Sequence, residues 1–241
     1  MRAGASTRRH AFATMPGPGR RGNDDRVAAD DTSATYVVAD GMGSARHGAW
    51  SAGFVVERLP ALLAAAGDPA DRDQVAAVVR ELSDDLRARA GNRLGGIGST
   101  VVAAVVRGAA ATIAHVGDSR AYLARRGGLT RLTTDHALGE SLVAAGVMDA
   151  DEAARLPGRA RLTQHLGMPE RVEPAVRTVR LSPADRLLLC TDGLTSVLDD
   201  AAIAAVLGSV PNGEPSRCCS ALMAAAVARG LVDDTTVLII G

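Results

Sequence analysis

The 241-residue sequence predicts an α+β protein in which β-sheets are covered by paired helices. Short apolar runs rich in Val, Ile and Thr occur near both ends of the chain and in its middle, as strands do. Between them lie paired segments whose apolar residues recur at helical spacing. Because strands and helices do not alternate regularly and no internal repeat is present, the pattern argues against a parallel βαβ sheet and for one domain.

In the first half of the chain, two predicted strands precede a pair of predicted helices. Strands are predicted at 8–15 and 34–39. Amphipathic helices are predicted at 47–66 and 71–90. A turn-rich segment follows the first strand and ends at Asn23-Asp24-Asp25. The second strand stops at Asp40-Gly41.

The second half is richer in strands. Four short β-type runs separated by glycine-bearing turns predict an antiparallel meander at 99–106, 110–116, 119–125 and 128–132. Residues 136–166 are predicted to be helical, with an interruption at Pro157-Gly158. Two strands are then predicted at 176–181 and 185–190, two helices at 199–207 and 216–229, and a closing strand at 235–240.

The composition excludes several kinds of chemistry. The 27 acidic residues balance 27 basic ones, so nothing indicates a nucleic-acid or membrane surface. All the basic residues are Arg, which rules out a Walker-A lysine and a Schiff-base lysine. The three cysteines, Cys190, Cys218 and Cys219, form no C-x-x-C motif, which argues against a disulfide framework and a thiolate zinc site.

The location is predicted from what the chain lacks. Residues 1–10 are Arg-rich without an apolar core, unlike a secretory signal. No apolar run reaches the roughly 18 residues of a membrane span. Together with the unpaired cysteine count, these features predict a cytoplasmic protein.

Aspartates stand where strands begin or end. Asp40, Asp118 and Asp192 follow β-type runs, Asp233 and Asp234 open the last one, and Asp24 and Asp25 follow the first. A buried carboxylate cluster repels itself and must be neutralised. Mg²⁺ and Mn²⁺ do this with carboxylate, carbonyl and water ligands. Glycines beside two of the aspartates, Gly41 and Gly193, allow tight turns and let a carbonyl approach an ion.

Such a cluster suits the hydrolysis of a phosphate ester. Two close divalent ions can lower the pKa of a bridging water, present it as hydroxide, and clamp a phosphoryl group for in-line attack. A guanidinium can hold the remaining phosphate oxygens bidentately. Arg20, just before Asn23-Asp24-Asp25, is placed for that role, although a surface arginine is the alternative interpretation.

A series of short motifs runs through the chain in order: Arg20-x-x-Asn23-Asp24-Asp25, Val38-Ala39-Asp40-Gly41-Met42-Gly43, Gly98-Ser99-Thr100, His115-Val116-Gly117-Asp118-Ser119-Arg120, Leu162-Thr163-Gln164-His165-Leu166-Gly167, Cys190-Thr191-Asp192-Gly193-Leu194 and Asp233-Asp234-x-Thr236. As a set they resemble the metal-dependent protein serine/threonine phosphatases of the type 2C, or PPM, class in their bacterial form. The resemblance spans residues 20 to 240.

The resemblance implies a four-layer α/β/β/α sandwich of two antiparallel sheets flanked by helix pairs. It implies a single PPM-type domain over 1–241, with a flap subdomain at about 133–166. It also implies two Mn²⁺ or Mg²⁺ ions per chain that activate a bridging hydroxide against phosphoserine and phosphothreonine.

The resemblance further assigns roles to single residues. Asp40 is expected to bridge both ions and Arg20 to bind the substrate phosphate, and these two are the catalytic residues. The remaining metal ligands are expected to be Asp25, the Gly41 carbonyl, Asp192 and Asp233.

Four more residues are candidates for contributing through water or hydrogen bonds: Asp24, Asp234, His47 and Asp118. Asp24 stands where the family usually has Glu. In the family the G-D-S-R turn is mainly structural, which favours an architectural Asp118. His47 is either a proton donor or a surface histidine at a helix start.

The chain departs from the family where many members hold a third metal. Gly95 or Gly96 and Ser196 occupy the positions of the acidic ligands for that ion. We therefore expect two ions, with a standard third site in doubt.

Two other functions fit parts of the pattern. A relative without activity could bind phosphoproteins or act as a scaffold, since a fold can be reused. A phosphohydrolase for small esters or nucleotides is the second, although no nucleotide-binding signature is present. The expected partners are phosphorylated proteins, including substrates of a cognate Ser/Thr kinase; the sequence carries no signal for an oligomeric state.

Overall fold

The computed structural model describes residues 8–20, 22–43, 47–91 and 97–241. The strands within these ranges are β1 (His10–Met15), β2 (Asp25–Asp30), β3 (Thr35–Met42), β4 (Gly98–Ser99), β5 (Val101–Arg107), β6 (Ala110–Val116), β7 (Arg120–Arg125), β8 (Gly128–Arg131), β9 (Ala175–Arg180), β10 (Arg186–Cys190) and β11 (Thr235–Ile240). The helices are α1 (His47–Ala65), α2 (Arg72–Ala90), α3 (Leu138–Ala144), α4 (Ala150–Arg155), α5 (Asp192–Thr195), α6 (Asp200–Ser209) and α7 (Pro215–Ala228).

The strands form two sheets whose pairs are all antiparallel. The first sheet has the order β1-β11-β10-β7-β8. The second has the order β2-β3-β5-β6-β9, and β4 pairs with the end of β3. Each sheet therefore combines strands that are far apart in the sequence.

Three apolar clusters hold the layers together. One lies between the sheets and includes Val38, Val102, Leu189 and Leu238. A second packs α1 and α2 against the second sheet, and a third packs α6 and α7 against the first. The predicted α+β class and the helix–sheet–sheet–helix layering are confirmed.

The long helices show why the sequence predicted them. In α2, Val75, Val79, Leu82 and Leu86 recur at helical spacing and are buried. The Asp71 side chain accepts hydrogen bonds from two backbone N–H groups of the first turn, which would otherwise have no partner. None of the helices in the described ranges is both long and apolar enough to cross a bilayer.

The predicted meander is wrong. The runs at 110–116 and 119–125 do not form a hairpin, because β6 belongs to the second sheet and β7 to the first. The chain crosses between the sheets at Gly117, whose φ of 104° lies in the region that favours glycine. Short strands joined by a glycine look alike in sequence whether they pair or change sheets.

Two other elements differ from the prediction. Residues 25–30 form β2, an edge strand of the second sheet that was not predicted, because acidic and basic residues interrupt its apolar pattern. Only 138–144 and 150–155 of the segment 136–166 are helical. The rest of that segment is turns and loops.

Candidate active site

The acidic cluster forms where the two sheets end on the same side. Asp25, the first residue of β2, faces Asp40, the third residue from the end of β3, across the β2–β3 pair. Asp192 follows β10 and begins α5, and Asp233 precedes β11. Asp118 lies in the crossing from β6 to β7. Five predicted carboxylates, from distant parts of the sequence, thereby reach one edge of the sandwich.

Two glycines permit the close backbone approaches that bring these residues together. A Cβ atom on Gly193 would lie 2.0 Å from the Asp234 carbonyl oxygen, so the start of α5 fits against β11 only without a side chain. A Cβ on Gly41 would lie 1.9 Å from the Gly48 carbonyl oxygen, where the end of β3 meets α1. Both are the glycines of the Asp-Gly pairs in the sequence.

Burial and mutual repulsion disfavour the charged forms of these carboxyls. Burial raises the pKa of Asp25 to about 7, and the charges of Asp234 and Asp192 add to the effect. Burial and the nearby Asp192 raise the pKa of Asp118 to about 7. Burial also raises the pKa of Asp40 well above its ordinary value, with repulsion from Asp25 next in size.

Asp192 completes this group. Burial and then the charge of Asp233 raise its pKa, and a hydrogen bond with Asp40 opposes the shift. The cluster therefore holds more negative charge than the protein around it neutralises.

The donor set fits a hard divalent cation. Every group is a carboxylate, and Asp25 Oδ1 is buried without a hydrogen-bond partner among the described residues. Such an atom loses its hydration without compensation unless a ligand reaches it. In the conformation described, no three His, Cys, Asp or Glu side chains of those residues converge as a ready-made metal cage. One reason is that Asp233 is turned toward Arg20.

Arg20 lies at the rim of the cluster with 42% of its side chain exposed. One of its terminal nitrogens contacts Asp233 Oδ1, and the other lies 3.1 Å from Asp234 Oδ2. The Asp24 carboxylate is farther away, at 4.0 Å. The guanidinium predicted to bind phosphate therefore lies beside the cluster. It is held there by carboxylates, which a phosphate group could replace as its partners.

The neighbouring acids organise the backbone. Asp234 Oδ1 accepts a hydrogen bond from the Gly17 N–H at 2.8 Å, and its Oδ2 accepts one from the Asp24 N–H at 2.7 Å. Asp24 Oδ1 accepts from the Ala49 N–H at 2.9 Å and so satisfies a free donor at the start of α1. Asp234 therefore fixes the loop that carries Arg20, and Asp24 fixes the start of α1.

The remaining candidates are placed as follows. His47 begins α1, and its Nδ1 atom is buried without a hydrogen-bond partner among the described residues. The Ser196 hydroxyl donates to the Gly193 carbonyl at 3.0 Å, within the turn of α5. Gly95 and Gly96 lie outside the described residues.

Sequence reasoning missed a set of hydroxyl groups beneath the cluster. The Thr191 hydroxyl donates to Asp25 Oδ2 at 2.8 Å. Thr100 Oγ1 accepts from the Asp40 N–H at 3.0 Å and lies 2.7 Å from the Ser119 hydroxyl. These residues stand in the quoted motifs, so the signal was present, but their contacts depend on how the sheets meet.

Comparison with known proteins identifies the family. The family model described as protein phosphatase 2C matches residues 20–223. The chain belongs to the protein phosphatase 2C family. The predicted resemblance is confirmed, and with it the class of enzyme, a protein phosphatase that hydrolyses a phosphoester.

Curated relatives of this phosphatase are bacterial. It is 33% identical over 209 residues to the serine/threonine phosphatase stp of Listeria monocytogenes, with 82% of each chain covered. It is 32% identical over 242 residues to the serine/threonine protein phosphatase PstP of Mycobacterium tuberculosis, covering 96% of this chain and 44% of PstP. A putative protein phosphatase 2C-type from Streptococcus pyogenes is 41% identical over 114 residues, 46% of its length. The chain thus spans less than half of PstP.

Solved structures agree with the fold of this phosphatase. Stp1 of Staphylococcus aureus superposes with a TM-score of 0.87 at 27% identity, covering 98% of this chain and 96% of that one. PppA of Pseudomonas aeruginosa gives a TM-score of 0.83 at 29% identity, covering 98% of both chains. The catalytic domain of PstP, in complex with two manganese ions, gives 0.80 at 29% identity, covering 97% of both. The family is metal-dependent, in agreement with the acidic donor set of this phosphatase.

Proposed function

We propose that the chain hydrolyses phosphoserine and phosphothreonine in proteins at the acidic cluster, with two Mn²⁺ or Mg²⁺ ions. The observation that carries the proposal is the set of buried carboxyls with raised pKa values, in a chain of the protein phosphatase 2C family. A buried cluster with this much uncompensated charge is costly unless it binds a cation.

The ions would be held by the carboxylates of Asp25, Asp40, Asp192 and Asp233 and by the Gly41 carbonyl. Asp40 would lie at the centre of that set and contribute to holding both ions, because the charges of Asp25, Asp192, Asp118 and Asp233 all act on it. Asp118 faces the same cluster, so we propose that it contributes to the charge there besides shaping its turn. When bound, the ions supply Lewis acidity that activates water and offsets the charge on the phosphoryl group.

Arg20 would bind the phosphate. Its guanidinium is half-exposed and lies within reach of the cluster. On exchange of Asp233 for a phosphate, its planar fork can donate two parallel hydrogen bonds to phosphate oxygens. His47 is proposed to act beside it, since its buried Nδ1 can exchange hydrogen bonds with substrate or water.

We also propose that the flap at 133–166 contacts the substrate within a single domain over 1–241. A cavity of about 320 Å³ separates the flap helices α3 and α4 from the cluster. It is lined by residues of both, including Ala153, Arg159, Asp118 and Asp192. A substrate segment entering the cleft would meet the flap before its phosphate reached the carboxylates.

The phosphoprotein substrates are proposed to be products of a Ser/Thr kinase in the cytoplasm. This is supported by relatives that are named serine/threonine phosphatases. Phosphoproteome comparison of cells with and without the intact protein would identify them. Accumulation confined to small phosphate esters would point to a different substrate class.

The decisive assay is hydrolysis of a phosphothreonine peptide with Mn²⁺, Mg²⁺ or EDTA. We expect activity with either metal, none with EDTA, and a loss of at least about a hundredfold for Asp40→Asn, since metal stabilisation of transition-state charge amounts to several kcal/mol. Asp185→Asn is the matched control, because Asp185 is a buried aspartate that is already paired with Arg125. An Asp40→Asn protein as fast as the wild type would refute the proposed site, and an inactive wild type that binds phosphoproteins would favour the non-enzymatic function.

A further inference from the structure

Three polar residues of the quoted motifs, and one threonine outside them, have no part in the proposed chemistry yet form a hydrogen-bonded group next to Asp25. Thr191 follows β10, Thr236 lies on β11, Thr14 lies on β1, and Asn23 lies in the loop before β2. Thr191 and Thr236 are fully buried. Because these strands are neighbours in the first sheet and Asp25 belongs to the second, the group joins the two sheets beneath the acidic cluster.

The direction of each hydrogen bond at Thr191 is determined by its neighbours. Thr191 Oγ1 accepts from the Thr236 N–H at 2.9 Å, an interaction in which the nitrogen is the only possible donor. The hydroxyl proton is then free to point at Asp25 Oδ2, 2.8 Å away. A hydroxyl has one proton to donate, so this contact orients one particular oxygen of the carboxylate.

A second line of donors approaches the same carboxylate from β1. The Asn23 amide donates to Thr14 Oγ1 at 2.8 Å. Thr14 Oγ1 lies 2.7 Å from Thr236 Oγ1. The Thr236 hydroxyl acts on Asp25 and, like Thr191, favours its charged form. Along the order Asn23, Thr14, Thr236 each hydroxyl can accept once and donate once, which would leave the Thr236 proton free to point toward Asp25. In such an arrangement successive hydrogen bonds strengthen one another.

The hydrogen bond from Thr191 leaves the other carboxylate oxygen of Asp25, Oδ1, without a partner among the described residues. That oxygen is buried. The Asp25 N–H is itself fixed by Asn23 Oδ1 at 2.8 Å, so neither the backbone nor the side chain can rotate freely. Asp25 and Asp40 are register partners across the β2–β3 pair, so their side chains lie on the same face of the sheet.

We propose that Thr191, supported by the Asn23–Thr14–Thr236 line of hydrogen bonds, is a positioning residue that holds Asp25 with one oxygen presented to the metal. This inference rests on the proposed metal-dependent function. It assigns a role to the threonines of the C-T-D-G and D-D-x-T motifs: they act through Asp25 and do not touch the substrate. Groups that orient metal ligands in this way commonly change metal affinity by about 10–100-fold when they are removed.

The test is a calorimetric titration of Mn²⁺ into the metal-free full chain at fixed pH, with thermal unfolding measured in parallel. For Thr191→Val we expect about tenfold or greater weakening of Mn²⁺ binding. Thr191→Ser keeps the hydroxyl and should restore binding to within about threefold of the wild type. Thr112→Val is the matched control, because Thr112 is a buried strand threonine whose hydroxyl lies 3.3 Å from Thr178 in the second sheet; it should bind like the wild type.

Thr14→Val gives a second route if Thr191→Val fails to fold. Thr14 lies on an edge strand with an exposed side chain, so valine is readily accommodated there. We expect about threefold weaker Mn²⁺ binding from the interrupted line of donors. Wild-type affinity in both valine variants, or a Thr191→Ser protein as weak as Thr191→Val, would overturn the inference. A wild type that binds no divalent cation would instead overturn the proposed function on which the inference rests.

Discussion

Two aspartates flank strand β10, Asp185 before it and Asp192 after it, and they have opposite electrostatics. Before the strand, Asp185 accepts from Arg125 Nε at 3.0 Å and from the Ser182 N–H at 2.6 Å. Hydrogen bonds from Arg125 hold the pKa of Asp185 below its ordinary value. After the strand, burial and the charge of Asp233 raise the pKa of Asp192. One end of β10 has its own cation in Arg125, and at the other end we propose that a metal ion supplies the positive charge.

The same contrast separates the acidic cluster from other acids of the fold. Asp135 is buried but accepts three contacts from Arg120 and pairs with Arg131. Glu173 pairs with Arg80, and its hydrogen bond lowers the pKa of that carboxyl. Asp135 and Glu173 each have an arginine partner and contribute to architecture. Asp25, Asp40 and Asp192 lie among other acids and have no arginine salt bridge among the described residues, which points to a metal site; Asp233, which contacts Arg20, is the exception.

The largest expected effect comes from breaking the close packing at the Asp192 end. In Gly193→Ala the new Cβ would lie 2.0 Å from the Asp234 carbonyl oxygen, so the start of α5 must move away from β11 and take Asp192 with it. Because misplacement of a catalytic group by about 1 Å can cost about a hundredfold, we expect at least that loss in kcat/KM. Steady-state kinetics and Mn²⁺ titration measure it.

The control for that variant is Gly208→Ala. A Cβ at Gly208 in α6 would meet nothing within 4 Å, so this variant should retain full activity and equal or higher stability. If Gly193→Ala retained wild-type kinetics, the close approach of α5 to β11 would not be needed for the site.

The second prediction concerns pH and the metal-free protein. Burial raises the pKa of Asp25 to about 7 from an ordinary value of 3.8, so the native state binds a proton that the unfolded chain has already released. The resulting stability is fully present below about pH 4 and is lost as pH rises through about 7. Asp185 acts oppositely: its lowered pKa gives stability above its ordinary value that is lost in stronger acid. The stability contributions of Asp25 and Asp185 thus respond to pH in opposite directions.

We therefore expect the melting temperature of the EDTA-treated protein to fall between pH 4.5 and 7.5 relative to that of Asp25→Asn, which lacks the titrating group. A change of one pKa unit corresponds to about 1.4 kcal/mol, so the difference should amount to several degrees. At pH 7.5 added Mn²⁺ should raise the melting temperature of the wild type more than that of Asp25→Asn, because the variant lacks a proposed metal ligand. Parallel pH profiles for the two metal-free proteins would contradict the assigned repulsion at Asp25.

The sequence predicted which aspartates come together better than it predicted the path of the chain. Asp40 and Asp192 were predictable because a β-type run followed by Asp-Gly is a local pattern. Strand β2 and the crossing at Gly117 were not, because pairing between distant strands leaves little trace in the local sequence. The contact of Thr191 with Asp25 likewise depends on how β10 of one sheet meets β2 of the other. The motifs contained these residues, but their roles become visible only when the sheets are packed.

The smallest expected effect comes from removing the built-in pair at the other end of β10. Asp185→Asn weakens the contacts from Arg125 and Ser182 but leaves Asp192 and the acidic cluster in place. Loss of hydrogen bonds to a charged acceptor should lower the melting temperature by about 4–8 °C. Metal affinity and kcat should stay within about twofold of the wild type, because Asp185 and Asp192 lie at opposite ends of the strand. Thermal unfolding and peptide kinetics on the same preparation separate the two effects, and a large loss of Mn²⁺ binding in Asp185→Asn would show that the two ends of β10 are coupled.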